Sequence, residues 1–517
     1  MRGVWTPDRI RAAEERLFEA VAEPVVMRRA ANGVALHVRR LLGERAGGVA
    51  GRHVTLLVGA GNNGGDALWA GALLRGRGVG VTAVLLAPDR THGEGLRALR
   101  AAGGRALAAE GSSGLTSEAV GALRRGDVVV DGVVGLSARG GLRPLAAEAV
   151  GHVGAPVVAV DLPSGVDPAT GLVEGPAVSA EVTVTFGGLK PCHVLEEGAA
   201  RSGRVRLVDI GLIPYLDEPD FTVLDPEDAG AAWPVPSPED DKYSQGVLGV
   251  AAGSASFPGA AMLTAGGAVR TASGMVRYAG PAADAVRESW PEIVATGSVG
   301  DTGRVQAWAV GPGIGTGSNG REVLARVLEE ARPVVADADA ITLLARDAAL
   351  WDARDPETPL VLTPHDGEFA RLAGERPEDR VAAARETARR YGVLLLLKGN
   401  STVVAAPDGR VLVHPSGHAW PATAGSGDVL TGMLGKLLAA GVEPLRACGC
   451  AVLVHARAAE IAATGSAEHG GRAPRVGGDE EGRAERTVGA PIGASALLAA
   501  VPAAIREVRA AATASVR

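Results

Sequence analysis

The sequence predicts an α/β protein of successive domains, each a parallel sheet with helices on both faces. Short Val/Leu-rich runs alternate with Ala-rich helical stretches along most of the chain. The runs are continuously apolar instead of alternating, as strands buried on both faces must be. The length, 517 residues, is too great for a single hydrophobic core and requires two or three.

In chain order, HVTLLVG (53–59), VTAVLLA (81–87), DVVVDGVVG (127–135) and APVVAVDLPSG (155–165) predict the first set of strands. The loops that leave parallel strands gather at one sheet edge, where ligands of open α/β folds bind. Across about 211–240 the residues Pro214, Pro219, Pro226, Pro234, Pro236 and Pro238, set among acidic residues, break the periodicity and predict a linker. A boundary near 218 gives domains 1–217 and 218–517. The strand–helix rhythm resumes with VLGVAAGS (247–254), VQAWAVGPGIG (305–315), PVVADADA (333–340), PLVLTPHDGE (359–368) and VLLLLKGNSTVV (393–404). Residues 464–490, rich in Gly, Arg and Glu and without apolar period, predict a disordered insert. After it, SALLAAVPAAIREVRAA recovers a helical apolar face and is expected to pack on the second domain.

A net charge of −7 opposes nucleic-acid or anionic-membrane binding, both of which need clustered cations. Cys192, Cys448 and Cys450 supply neither a disulfide framework nor four zinc ligands, so inert buried thiols are expected. The N-terminus, MRGVWTPDRIRAAEERLF, is charged and amphipathic, unlike a secretion signal. No run approaches the roughly 20 apolar residues of a membrane span. A cytoplasmic protein is the expectation.

Two glycine loops ending in aspartate carry the chemistry. GNNGGD (61–66) follows the first strand, and Gly59-Ala-Gly61-Asn-Asn-Gly64 satisfies the dinucleotide GxGxxG spacing, with Asp89 as a candidate ribose partner. Asn62, Asn63 and Asp66, however, stand where that motif has small or apolar residues, and polar groups there point to a ligand; the alternative is a tight turn with Asp66 capping a helix. Asp131 ends the third strand, and Asp161 ends the fourth ahead of Ser164. Three acids at neighbouring strand ends are expected to converge on one cleft. In AGSGDVLTG (424–432) the N–H groups of Gly425 to Gly427 open a helix and can receive a phosphoryl group, while Asp428 can take a proton from an attacking hydroxyl.

VGAGNNGGD, the DGVVG loop, VDLPSGVDPATG and TVTFGGLKP followed by VRLVDIGL resemble the NAD(P)H-hydrate epimerase domain, the YjeF N-terminal family, over about 1–215 and in family order. The resemblance implies a Rossmann-like α/β/α domain that interconverts R and S epimers of hydrated NADH or NADPH and holds potassium. It implies substrate contacts at Asn62, Asn63, Gly64, Gly65 and Asp66 and at Gly135, Leu136, Ser137, Ala138, Arg139, Gly140 and Gly141. It implies potassium at Asn63, Asp131 and Ser164, and Asp161 as the catalytic acid/base that also meets substrate. The hydrate carbon bears both a hydroxyl and the ring nitrogen; protonating the hydroxyl lets the nitrogen form a planar cation, and water returns to either face. One carboxyl, Asp161, can serve both steps.

KYSQGVLGVAAGS with FPGAAML, VGPGIG, LTPHDGEFARL, LLLLKGNSTVV and ATAGSGDVLTGMLG resemble the NAD(P)H-hydrate dehydratase family, a carbohydrate-kinase-like branch of the ribokinase superfamily, over about 220–505. The resemblance implies a ribokinase-like α/β/α domain in which Ala261, Gly313, His365 and Asp428 contact the hydrate. It implies that Lys398, Gly399, Asn400, Ser401, Thr402 and Gly427 contact the nucleotide. His365 taken by itself is more often structural. The family reaction phosphorylates the hydrate hydroxyl and expels phosphate to restore NAD(P)H, with Asp428 as base and Mg2+ screening the phosphates. The composition points to a bacterium, for which the family implies ADP; ATP is the other co-substrate. NADHX, NADPHX and ADP are the implied partners, with a homo-oligomeric assembly and no nucleic acid or membrane. The rival to this assignment is a small-alcohol kinase fused to a non-catalytic nucleotide-binding or interaction module.

Overall fold

The structure is a computed structural model that describes residues 1–111, 114–415, 417–465 and 489–515. The insert expected at 464–490 falls almost wholly outside the described residues. The chain divides into two compact units that part between Asp220 and Phe221.

The first unit holds a seven-stranded, all-parallel sheet. Its order is Arg204–Val208, Val182–Phe186, Val157–Val160, Val128–Gly132, His53–Val58, Gly80–Leu85, Arg105–Ala108. The chain runs outward from His53–Val58 to one edge, then returns through Val128–Gly132 toward the other. Order reverses between these two strands, the place where a Rossmann-like sheet opens a crevice for ligands. Val54, Leu56 and Val58 enter one core with Val34 and Leu68, while Leu57 and Val129 enter a second with Leu123 and Ala149. Because successive side chains point to opposite faces, two filled cores require the unbroken apolar runs seen in the sequence.

The second unit is a larger sheet in the order Phe221–Val223, Val411–Pro415, Ser401–Ala405, Leu394–Leu397, Leu360–Leu362, Val334–Ala336, Ala307–Val310, Val247–Ala251, Met275–Ala279, Val294–Thr296. All pairs are parallel except the two made by Ser401–Ala405. The helices Ser426–Ala439 and Pro258–Thr271 lie against each other over this sheet.

Three features differ from expectation. VLLLLKGNSTVV is a hairpin, Leu394–Leu397 turning at Lys398–Asn400 into the antiparallel Ser401–Ala405; the polar break Lys-Gly-Asn between two apolar stretches marks the turn. The proline-rich linker contains the strand Phe221–Val223 and the helix Pro226–Ala232, with Pro226 in the first turn, where its missing N–H costs nothing. The helix Pro444–Thr464 is long and apolar enough to cross a membrane by length and composition, but 78% of its apolar window is buried inside its own unit, as a core helix is. The helix Ala494–Ser515 packs on it, as expected of the C-terminal segment.

Candidate active sites

In the first unit the helix Asn62–Arg75 starts directly after the strand His53–Val58, with Gly61 at φ 108. Only glycine fits the turn: a Cβ on Gly59 would lie 2.0 Å from the Val133 carbonyl oxygen, and one on Gly64 would lie 2.5 Å from that of Gly59. A cavity of about 480 Å³ opens over this loop, lined by Asn62, Asn63, Asp66, Gly135, Leu136, Ser137 and Asp161. A neighbouring cavity of about 480 Å³ is lined by Ser137, Ala138, Arg139, Gly140 and Gly141 with Arg90 and Arg143. Gly64 and Gly65 line neither; both are buried in the helix.

Asp161 takes φ 66, a strained setting for a residue with a side chain, at the end of the strand Val157–Val160. Lys190 Nζ donates to Asp161 Oδ1 at 2.6 Å and to Thr185 Oγ1 at 2.8 Å, and Thr185 donates to the same Oδ1 at 2.9 Å. His193 Nε2 donates to the Asp161 carbonyl at 2.8 Å while its Nδ1 accepts the Lys190 backbone N–H. Burial alone would raise the Asp161 carboxyl; the Lys190 ammonium overcomes it and holds the group below the usual range. Burial and the Lys190 charge push His193 down to about 4, so it is neutral at pH 7. Thr185, Lys190 and His193 are not singled out by the sequence. The lone lysine closing the apolar run TVTFGGL was the one available signal.

Asp131 does not join the cavity wall. It is buried behind it, where it accepts the Ser164 backbone N–H at 2.8 Å and the Ser164 hydroxyl at 2.7 Å. Burial pushes it up to about 6 against these hydrogen bonds. Asn63 donates to the carbonyls of Val134 and Val160, both at 2.8 Å, tying two strand ends together. The donors offered here are all oxygens: the Asp131 carboxylate, the Ser164 hydroxyl bonded to it at 2.7 Å, and the amide oxygen of Asn63 on the first turn of the helix Asn62–Arg75. No protein cation is paired with Asp131 among the described residues. These residues fit a hard monovalent cation.

In the second unit Gly425, at φ 83, caps the helix Ser426–Ala439, whose first turn carries Gly427 and Asp428. His455 Nε2 meets the Ser426 carbonyl at 2.9 Å and pins this turn. Burial first, and then Asp337, raise Asp428 to about 7 against the pull of Lys398. Lys398 Nζ lies 2.7 Å from Asp337 Oδ1 and 3.9 Å from Glu368 Oε2. Thr431 donates to Asp337 Oδ2 at 2.9 Å. Burial opposes the Lys398 charge, but Asp337 and Glu368 outweigh it and raise the ammonium above its ordinary value. A Cβ on Gly427 would lie 3.5 Å from Lys398 Nζ and 3.6 Å from Asp337 Oδ2.

The structure thus brings Asp428, Gly427 and Lys398 together and adds Asp337, Glu368 and Thr431, which the sequence did not single out. Gly399 and Asn400 form the hairpin turn, and Ser401 and Thr402 begin the buried return strand. His365 caps the helix Asp366–Ala373: its Nδ1 accepts the N–H of Gly367 at 2.9 Å and of Glu368 at 3.3 Å, and Glu368 returns the contact to the His365 N–H at 2.9 Å. Ala261 is fully buried, and Gly313, at φ 69, lies against Ala260 and Phe257. No group of three His, Cys, Asp or Glu side chains is placed to ligate a metal among the described residues.

The family described as YjeF-related protein N-terminus matches residues 23–192, and the family described as NAD(P)H-hydrate dehydratase matches residues 248–474. The chain is 52% identical over 446 residues to the bifunctional NAD(P)H-hydrate repair enzyme Nnr of Mycobacterium tuberculosis, across 86% of this chain and 90% of that one. It is 51% identical over 467 residues to the protein of the same name from Mycobacterium leprae, across 90% and 94%. A solved ADP/ATP-dependent NAD(P)H-hydrate dehydratase of Bacillus subtilis is 27% identical, with a TM-score of 0.46, across 56% of this chain and 99% of that one. By sequence similarity over nearly its whole length, the chain belongs to the family of bifunctional NAD(P)H-hydrate repair enzymes.

Proposed function

We propose that this chain repairs hydrated nicotinamide cofactors in two steps: its first unit interconverts the R and S hydrates of NADH and NADPH, and its second dehydrates the S form using ADP, giving AMP and phosphate. The carrying observation is that each unit holds an environment-tuned carboxyl beside its glycine loop. Asp161 is held ionised by Lys190, and Asp428 is raised to about 7 at a helix N-terminus. An ionised Asp161 faces the planar cation formed when the hydroxyl leaves, and accepts a proton from the water that returns. Asn63, Asp131 and Ser164 are the residues that would hold potassium, which would supply positive charge beside the buried Asp131 carboxylate.

In the second unit the N–H groups of Gly425 to Gly427 and the Lys398 ammonium meet the transferring phosphoryl, and Asp428 removes the proton of the attacking hydroxyl. Departure of phosphate, driven by the ring nitrogen lone pair, leaves a carbon–nitrogen double bond, and loss of a proton from the adjacent ring carbon restores the dihydronicotinamide. Magnesium entering with the nucleotide would neutralise phosphate charge. The test is a pair of variants. Asp161→Asn is expected to lose R–S exchange and keep ADP-dependent dehydration of S; Asp428→Asn is expected to do the opposite. If both variants kept both activities, the assignment would fail.

A further inference from the structure

The hydroxyls of the R and S hydrates project from opposite faces of the ring. Exchange therefore asks for a proton donor on one face while water is deprotonated on the other. Asp161 cannot fill both posts at neutral pH, because Lys190 Nζ at 2.6 Å keeps it a carboxylate. The donor has to come from another wall of the same cavity.

The helix Pro7–Ala20 supplies that wall. Its core stripe is Ile10, Ala13 and Leu17, and the adjoining stripe, Arg11, Glu14 and Phe18, at spacings of three and four residues, lines the cavity that also holds Asp161. We propose that Glu14 is a second catalytic acid/base of the epimerase site, acting on the ring face turned away from Asp161; this rests on the epimerase function above. Glu14 gives its proton to the hydroxyl, the carbon–oxygen bond breaks with its electron pair leaving as water, and the ring nitrogen lone pair forms the carbon–nitrogen double bond. Water then attacks the other face, its proton passes to Asp161, and the double-bond pair returns to nitrogen. Each exchange moves one proton from Glu14 to Asp161; Asp161 releases it to solvent, Glu14 takes one up, and the pair is reset, while the reverse exchange runs the same steps backward.

The surroundings support the division of labour. Burial, with Asp161 and Glu23 adding to it, raises Glu14 to about 7 against the pull of Lys190 and Arg11, while Asp161 is lowered. Two carboxyls in one cavity pushed apart in this way are suited to acid and base roles. Asp66 and Glu23 are the other two carboxyls of the cavity: Asp66 lies near both and is raised mainly by burial, but only 6% of it is exposed, while Glu23 is exposed and accepts the Asn62 amide N–H at 3.0 Å. Glu14 comes from a separate element and has the longer side chain.

The test uses the full chain and follows R–S exchange directly, after subtraction of the spontaneous rate, across pH 5.5–9. Wild-type kcat/KM is expected to fall as pH rises through about 7, because Glu14 loses the proton it must donate. Glu14→Gln is expected to cut exchange on the order of 10²–10⁴-fold and to abolish that alkaline fall. Glu14→Asp should recover part of the rate with the limb retained, and Glu15→Gln, on the exposed side of the helix, should match wild type. Dehydration of S hydrate with ADP reports that each variant is folded. A Glu14→Gln enzyme that exchanges normally, or is slowed with the alkaline limb intact, overturns the proposal. So does disappearance of the limb in Asp66→Asn alone. A wild type with no exchange activity would instead defeat the epimerase function itself.

Discussion

Lys190 and Asp161 form an ion pair in which both side chains are almost wholly buried, at 1% and 5% exposure. Removing one partner of such a pair leaves a charge without compensation, which costs about 3–5 kcal/mol. Lys190→Met is therefore expected to destabilise the first unit by that order and to abolish exchange, read by urea unfolding and by the exchange assay. The pH dependence has a definite sign. Asp161 is lowered in the folded state, so its stabilisation is complete above its unfolded value of about 3.9 and is lost as pH falls through the folded value. Lys190→Met should lose this acid-labile component. Asp428 behaves oppositely toward its own chemistry: a base raised to about 7 is mostly protonated in mild acid, so dehydration should rise with pH and level off above about 7. Lys398→Met should move that rise to higher pH, because Lys398 pulls Asp428 down. A rise left in place would contradict the electrostatic role given to Lys398. At this scale the aspartates were legible because glycine turns and strand ends announce them. Their partners were not: Lys190 lies 29 residues from Asp161, Lys398 61 residues from Asp337, and Thr431 94 residues from Asp337. Only folding joins them, and no local spacing encodes the contact.

Among the elements, the helix that carries Asp428 is fixed by close backbone approach. A Cβ on Gly432 would stand 1.9 Å from the Thr264 carbonyl oxygen, and one on Gly267 would stand 2.4 Å from that of Val429. Glycine at both contacts lets the helices Ser426–Ala439 and Pro258–Thr271 touch, which sets where the Asp428 turn sits. Gly432→Ala must separate them, at a cost of about 1–3 kcal/mol from overpacking. It is expected to lower the melting temperature of the second unit and to cut dehydration while exchange persists. Unchanged dehydration kinetics would show that helix spacing does not position Asp428. Most strands were legible, since unbroken apolar runs such as HVTLLV and DVVVDG match two-sided burial. The hairpin inside VLLLLKGNSTVV was not, because both arms are buried and its turn is only three residues long. The helix Pro226–Ala232 was hidden by a proline that marks its start instead of a break.

For the molecule as a whole, the proposed function puts two different working sites on one chain. With a second site that uses only S, as proposed, the first site decides whether a pool of both epimers is recovered. The most direct measurement is the progress curve, by absorbance of the restored dihydronicotinamide, for a mixture of R and S hydrates supplied with ADP and Mg2+. Complete conversion in one phase, faster than spontaneous exchange allows, is the predicted result, and Asp161→Asn should split it into a fast S phase and a slow remainder. A wild-type curve that stops at the S fraction and continues only at the spontaneous rate would contradict the account.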